Sequence, residues 1–342
     1  MRKICFFIAI YFKYTYCLSN KQKQTVIKAQ AMSLQAFNAN SSRTHQTDLS
    51  TIALDEDEPR FNVRSGMGNF IISAPHSGWK VPQNLIDKYG QPLGVPAWWF
   101  DPKILEHRHE VCDWGTAELV DRLHELNPHI SSITSNVSRL VIEKNRLWDH
   151  AITPYSAEYD SKVCIPANHG LSDQQLAQRQ EIYDDHAKAV NDLITRVKGQ
   201  HAESAIYLDI HSFSPTWHGH GRDHEIGITY FEDNPLAEVI LETLNSKIGD
   251  RVAPQYPYNL LTGQFSDKIA SPALSEKHNI WFIYIEIRND LLQDPKRLEE
   301  TAQLLSQMFE EIQRSPKYNK CLYRQAPQNS FTSPGIFTPE TT

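Results

Sequence analysis

Three short apolar runs in the sequence each end in a histidine or a carboxylate. Ile71-Ile72-Ser73-Ala74-Pro75 runs into His76-Ser77-Gly78, and Ile206-Tyr207-Leu208 runs into Asp209-Ile210-His211-Ser212. Trp281-Phe282-Ile283-Tyr284-Ile285 runs into Glu286-Ile287-Arg288. In open α/β sheets, ligands bind beyond the carboxyl ends of the strands, so polar groups there are the first candidates for chemistry. Taken singly, a histidine after a strand is more often a structural hydrogen bonder. Two histidines plus carboxylates on neighbouring strand ends supply the neutral nitrogens and anionic oxygens that a catalytic Zn2+ or another divalent metal needs, with one position left for water. The chemistry predicted is metal-assisted hydrolysis.

The elements that must position these residues are legible from periodicity. Strands are predicted at Asn69 to Ser73, Ile130 to Thr134, Ile206 to Ile210, Ile226 to Phe231 and Ile280 to Ile287. Helices are predicted at Gly115 to Leu126, Gln174 to Val197, Pro235 to Lys247 and Pro295 to Gln313, from apolar residues at three-to-four spacing. This alternation predicts an α/β fold, with a mixed, mostly parallel sheet and helices on both faces. There is no internal repeat.

The chain has 342 residues, 40% of them apolar and 22% charged, enough for a sizeable core. With 34 Lys+Arg against 41 Asp+Glu the formal net charge is -7, so no bulk positive field exists to hold nucleic acid. The apolar run Ile4 to Phe12 falls short of the roughly 20 residues needed to span a bilayer. Cys5, Cys17, Cys112, Cys164 and Cys321 are far apart and odd in number, which argues against a disulfide framework or a cysteine-built zinc site. Neither a G-x-G-x-x-G nor a P-loop pattern is present, and no nucleotide or organic cofactor is implied.

Residues 1–60 read as a signal-like or disordered leader, with Arg2 and Lys3 before the apolar run and the acidic stretch Asp55-Glu56-Asp57-Glu58 at its end. Translation from Met1 or from Met32 decides whether the signal-like run is present, and with it export or a cytoplasmic location. Residues 61–317 are predicted to form the catalytic domain. Residues 318–342, rich in Pro, Ser and Thr, are predicted to be an extended tail.

The runs Ile206 to Ser214 and Tyr284 to Arg288 resemble the zinc-binding and glutamate-bearing strands of the zinc carboxypeptidases, and Ser138 to Arg146 resembles their D-x-N-R segment. The chain resembles the N-formylglutamate amidohydrolase family still more. Pro75-His76-Ser77-Gly78, Asp113-Trp114, the S-R-x-V-x-(D/E)-x-N-R run at Ser138 to Arg146, D-x-H-S at Asp209 and E-I-R-x-D-L at Glu286 occur in the family's order. These motifs span residues 75–291.

The resemblance implies a zinc-carboxypeptidase-like (phosphorylase/hydrolase-like) fold and hydrolysis of N-formyl-L-glutamate or another small N-acyl amino acid. It implies His76 and His211 as metal ligands. The carboxypeptidases' local glutamate falls at Trp79, so the third ligand must come from elsewhere, and Asp113 is the candidate. Asp113 could instead cap the helix beginning near Gly115, and Glu110 with His107 and His109 lies nearby as a substitute. Glu286 is implied as the general base, with Arg288 on the same strand face to stabilise the oxyanion or to pair with it. Arg139, Asn145 and Arg146 are the implied carboxylate binders. Asp209 is implied to orient a ligand imidazole.

Two features depart from the family. Glu143 stands where Asp is usual, and residues 147–180 match no family pattern. Arg179 and His186 match a family segment only loosely. The stretch Trp217 to His224 reads as a Gly-rich turn, a mobile cover or a second metal site. A carboxypeptidase-like peptidase or amidase acting on peptides or cell-wall fragments, and a non-catalytic binding module, remain alternative readings. Oligomeric state is not legible.

Overall fold

The runs flanking the candidate residues are apolar on both faces because they lie in the middle of a sheet covered on both sides. The structure is a computed structural model that describes residues 52–87, 90–95, 97–100, 110–156, 163–201, 204–217, 219–231, 234–261 and 269–321. Its central sheet has seven strands: β1 (Phe61–Arg64), β2 (Phe70–Ala74), β3 (Ser131–Ser135), β4 (Ile206–Phe213), β5 (Ile226–Tyr230), β6 (Val252–Pro254) and β7 (Trp281–Arg288). Their spatial order is β6-β5-β7-β4-β2-β3-β1. The four strands β7, β4, β2 and β3 run parallel. β1 is antiparallel to β3 at one edge, and β5 is antiparallel to β7 with β6 parallel to β5 at the other. The fold is mixed α/β with a mostly parallel sheet.

Five longer helices cover the sheet: α1 (Thr116–Leu126), α2 (Asp173–Gln200), α3 (Pro235–Ile248), α4 (Ser271–His278) and α5 (Pro295–Arg314). Their starts follow from local chemistry. Ser172 and Gln175 form a capping box at α2, while Asn234 and Asp294 cap α3 and α5 with proline in the first turn. One face packs Leu119, Ile240, Leu305 and Phe309 of the helices against Ile72, Leu208 and Ile283 of the sheet. The opposite face packs Val190, Leu193, Ile194 and Val197 of α2 against Ile71, Tyr207 and Phe282. A third apolar cluster, including Val95, Trp99, Val111, Val137, Ile142 and Ile165, lies in the connections that follow β2 and β3. It gives irregular segments a core of their own.

The structure departs from the sequence reading at several points. β4 continues through His211 and Ser212 to Phe213, because polar residues lying beside one another inside the sheet satisfy each other there. β1, β6 and α4 are additional elements. β1 is a half-exposed edge strand, β6 has three residues, and α4 carries a proline in its first turn, so none has a strong apolar period.

The packed region also reaches beyond residues 61–317. Ile52 is buried and Ala53–Leu54 pairs with Val81–Pro82. At the other end Pro316–Cys321 is helical, and Tyr318 stacks on Phe70 and accepts a 2.7 Å hydrogen bond from Asn69 Nδ2. The signal-like run, Met32 and residues 322–342 lie outside the described residues. Among those described, Cys112, Cys164 and Cys321 are free thiols, and no helix is long and apolar enough to cross a membrane.

Candidate metal centre and active site

Side chains alternate along a strand, so Tyr207, Asp209, His211 and Phe213 share the α2 face of β4, and Phe282, Tyr284 and Glu286 share that face of β7. Register then sets the neighbours. His211 is opposite Glu286, and Asp209 lies between Tyr284 on one side and Ser73 on the other. His76 leaves the end of β2 in a turn pinned by Ser77, whose hydroxyl donates to Ala74 O (2.8 Å) and accepts from Ser135 N (3.0 Å). Gly78 completes the turn against the backbone of Asn136, where a Cβ would lie 2.2 Å from the carbonyl carbon. Only glycine fits there.

His76, Asp113 and His211 converge from three segments, each offering one ligand atom within 4.8 Å of the others. Asp113 Oδ2 is 2.8 Å from His211 Nδ1 and 3.4 Å from His76 Nδ1. Two imidazole nitrogens and a carboxylate oxygen brought this close are a donor set that a divalent ion takes. All three side chains are buried, and His76 Nδ1 makes no hydrogen bond among the described residues. A buried imidazole nitrogen without a hydrogen bond, facing a carboxylate, fits a cation held between the two.

The far side of each imidazole is held by a carboxylate. His76 Nε2 meets Glu143 Oε1, and His211 Nε2 is 3.2 Å from Asp209 Oδ2. These contacts fix each ring so that Nδ1 faces inward. Arg139 ties the carboxylates together, donating from Nε (3.0 Å) and Nη2 (2.7 Å) to Glu143 Oε2 and from Nη1 (3.3 Å) to Asp113 Oδ1. Burial raises the Glu143 carboxyl, but the charges of Arg139 and His76 outweigh it and hold the group well below its ordinary range. Burial likewise opposes a charged His211, yet Asp209 and Asp113 raise its pKa well above the usual value. The cluster is thus short of positive charge, which either a proton on His211 or a cation among the three ligand atoms supplies.

Glu286 is buried, and its Oε2 has no hydrogen-bond partner among the described residues. Burial pushes its carboxyl up to about 7, with Asp113 adding and His211, Arg139 and Arg222 opposing. A carboxyl poised near neutrality beside a candidate metal ligand suits proton transfer.

The other expected residues divide. Asp113 does not cap α1: the cap is Gly115, and Asp113 Oδ2 instead accepts from Ser212 N at 3.3 Å beside its contact with His211. Glu110 is buried but does not belong to the converging group, and His107 and His109 lie outside the described residues. Trp79 turns away to pack near Trp114, 6.1 Å between ring centroids. Asn145 Nδ2 lies 3.4 Å from His211 Nε2, and its Oδ1 accepts from Tyr284 Oη at 3.1 Å, so it braces the site. Arg146 is close enough for its charge to help lower Glu143, and its carbonyl accepts from Tyr183 Oη at 2.7 Å.

Arg288 shares a strand face with Glu286, but its guanidinium is engaged with Asp290 (2.7 Å) and lies 3.8 Å from Glu225. Arg179 is a buried anchor for Asn168 and Ala167 O. His224 bonds Asp250 O, and exposed His220 pairs in a two-stranded hairpin with Trp217, so neither joins the converging group. His218 lies outside the described residues. The sequence reading missed the grip of Glu143 on His76; the only signal was its place in the N-R motif.

A cavity of about 250 Å³ adjoins the cluster, lined by Lys144, Asn145, His186, Tyr207, Asp209 and Phe282 among others.

The N-formylglutamate amidohydrolase family profile matches residues 68–293, more than half of the chain. The chain belongs to this family. N-formylglutamate amidohydrolases are hydrolases of amide bonds, and every motif residue discussed above from His76 to Arg288 falls inside the matched region. A solved gene product of Agrobacterium tumefaciens is 24% identical with a TM-score of 0.62, over 74% of this chain and 94% of that one. An N-formylglutamate amidohydrolase from Ralstonia eutropha is 14% identical with a TM-score of 0.51, over 75% and 97% of the two chains. At these identities the likeness is one of fold. No curated protein sequence matches the chain significantly.

Proposed function

We propose that the protein is a zinc-dependent amidohydrolase that cleaves N-formyl-L-glutamate or a related N-acyl amino acid to the free amino acid and a carboxylic acid. The observation that carries this reading is the buried His76, Asp113 and His211 group with Glu286 in register beside it. Zn2+ held by those three residues supplies a Lewis acid that polarises an amide carbonyl and lowers the pKa of water to about 7.

The remaining chemistry belongs to the chain. Glu286 takes a proton from the attacking water and returns it to the departing nitrogen, a role its carboxyl near 7 suits at neutral pH. Glu143 and Asp209 keep the two imidazoles turned inward, and Arg139 neutralises Glu143 while holding Asp113 in place.

The test is metal analysis of the purified protein, followed by assay of formate release from N-formyl-L-glutamate and of acid release from other N-acyl amino acids, with and without a chelator. About one zinc per chain with chelator-sensitive release is expected. Zinc-replete protein inactive on the whole panel would overturn the reading.

A further inference from the structure

Arg222 stands outside the ligand set, in the segment that follows β4. Its guanidinium carbon lies over three aromatic rings, 5.4 Å from the centroid of Phe213, 5.0 Å from Trp217 and 5.7 Å from Tyr258. Phe213 is two residues beyond His211 on β4, hence on the same sheet face, and it is the end of the strand where ligands bind. The platform therefore sits just past the rung shared by His211 and Glu286. Arg222 is near enough to Glu286 that its charge lowers that carboxyl, so it lies in the field of the proposed base.

The residue is fixed in place. Its backbone N–H donates to Pro215 O (2.8 Å), its carbonyl accepts from Arg288 Nη1 (3.1 Å), and its own Nη1 donates to Ser214 O (3.2 Å). Among the described residues, Nε and Nη2 of Arg222 have no hydrogen-bond partner and no carboxylate pairs with the guanidinium. Aromatic faces stabilise a guanidinium from above while leaving its planar edge free, and that edge matches a carboxylate in a two-point fork. Arg139 and Arg288 do not have this freedom, since Glu143, Asp113 and Asp290 occupy them.

We propose that Arg222 binds a carboxylate of the N-acyl amino acid and thereby sets a preference for anionic substrates. The proposal rests on the amidohydrolase reading above. It also gives Arg288 a task different from the one expected: held by Asp290, it clamps the Arg222 backbone and is a positioning residue.

The experiment compares the zinc-loaded full chain with Arg222→Gln and Arg222→Lys, using N-formyl-L-glutamate, its α-amide and N-formyl-L-glutamine. Melting temperature and zinc content report whether each variant folds. Arg222→Gln is expected to lower kcat/KM for the diacid about 100-fold, mainly through KM, with Arg222→Lys recovering only part because it lacks the fork. The amide lacking the carboxylate that Arg222 grips should lose less than about 3-fold, which tells the α-carboxylate from the side-chain one. Equal losses on all three substrates, or no loss, would overturn the proposal.

Calorimetric titration with L-glutamate separates this failure from failure of the amidohydrolase reading. Binding by the unmodified protein that disappears in Arg222→Gln upholds the carboxylate site even without turnover. Equal binding by both proteins, or none by either, overturns it.

Discussion

His211 and Glu286 face one another from adjacent parallel strands, a candidate metal ligand and a carboxyl whose Oε2 has no hydrogen bond among the described residues, on the same rung. Neighbouring strands are about 4.8 Å apart, so the register alone brings the two side chains within one small molecule of each other. Both strands are buried on both faces, which strips water from Glu286 and raises its carboxyl.

Replacing Glu286 with Gln removes the proposed proton acceptor and leaves the three candidate ligand atoms untouched. The variant should retain its zinc while kcat falls about 10²–10⁴-fold. Glu286 must be ionised to act, so kcat/KM should rise with pH through its titration, at or below about 7 because a bound cation favours the carboxylate. Undiminished turnover in Glu286→Gln would place the base elsewhere.

Asp209 and Asp113 outweigh the effect of burial and hold the His211 pKa well above its ordinary value. A proton held there competes with an incoming ion for the same nitrogen. Zinc uptake should release about one proton per site and weaken as pH falls, measurable by calorimetry in buffers of different ionisation heat. His211→Ala should lose both the metal and the activity, and full metal content in that variant would assign the site to other residues.

Glu143→Gln keeps the length of the side chain but gives up the charge that holds His76 and Arg139. Zinc affinity should fall about 10–100-fold with the fold intact, as read by competition with a chromophoric chelator. An unchanged affinity would mean that the contact does not orient His76.

His186 is buried on α2, its ring 5.1 Å from Phe61, and burial lowers its pKa from 6.5 to about 3. Between those values the unfolded chain binds the proton and the folded chain does not, so this group's contribution to stability is present above about 6.5 and is lost as pH falls toward 3. His186→Gln should flatten the decline in denaturation midpoint between pH 6.5 and pH 4. An identical decline in the variant would show that other groups govern the acid limb.

The motifs around His76, Asp209 and Glu286 could be read in order along the chain, together with the strands that carry them and the helices between. Those features are local: burial on both faces leaves continuous apolar runs, and helices leave a three-to-four spacing. Strand ends were less legible. Hydrophobicity falls at Asp209, yet β4 runs on to Phe213 because the polar side chains find partners across the sheet and from distant segments.

Local patterning along the chain set the α/β alternation, the order of the motifs and the residue types available for a metal and a base. Their partners came from packing in three dimensions: Glu143 reaches His76 across 67 positions, and Asp113 reaches His211 across 98. It also brought Arg139 onto Glu143 and Asp113, Arg288 onto Asp290, and Arg222 over three aromatic rings. A guanidinium is available to a substrate only if no nearer carboxylate claims it. That competition is settled by sheet register and loop packing, which join residues far apart in the chain and leave no periodic mark in it.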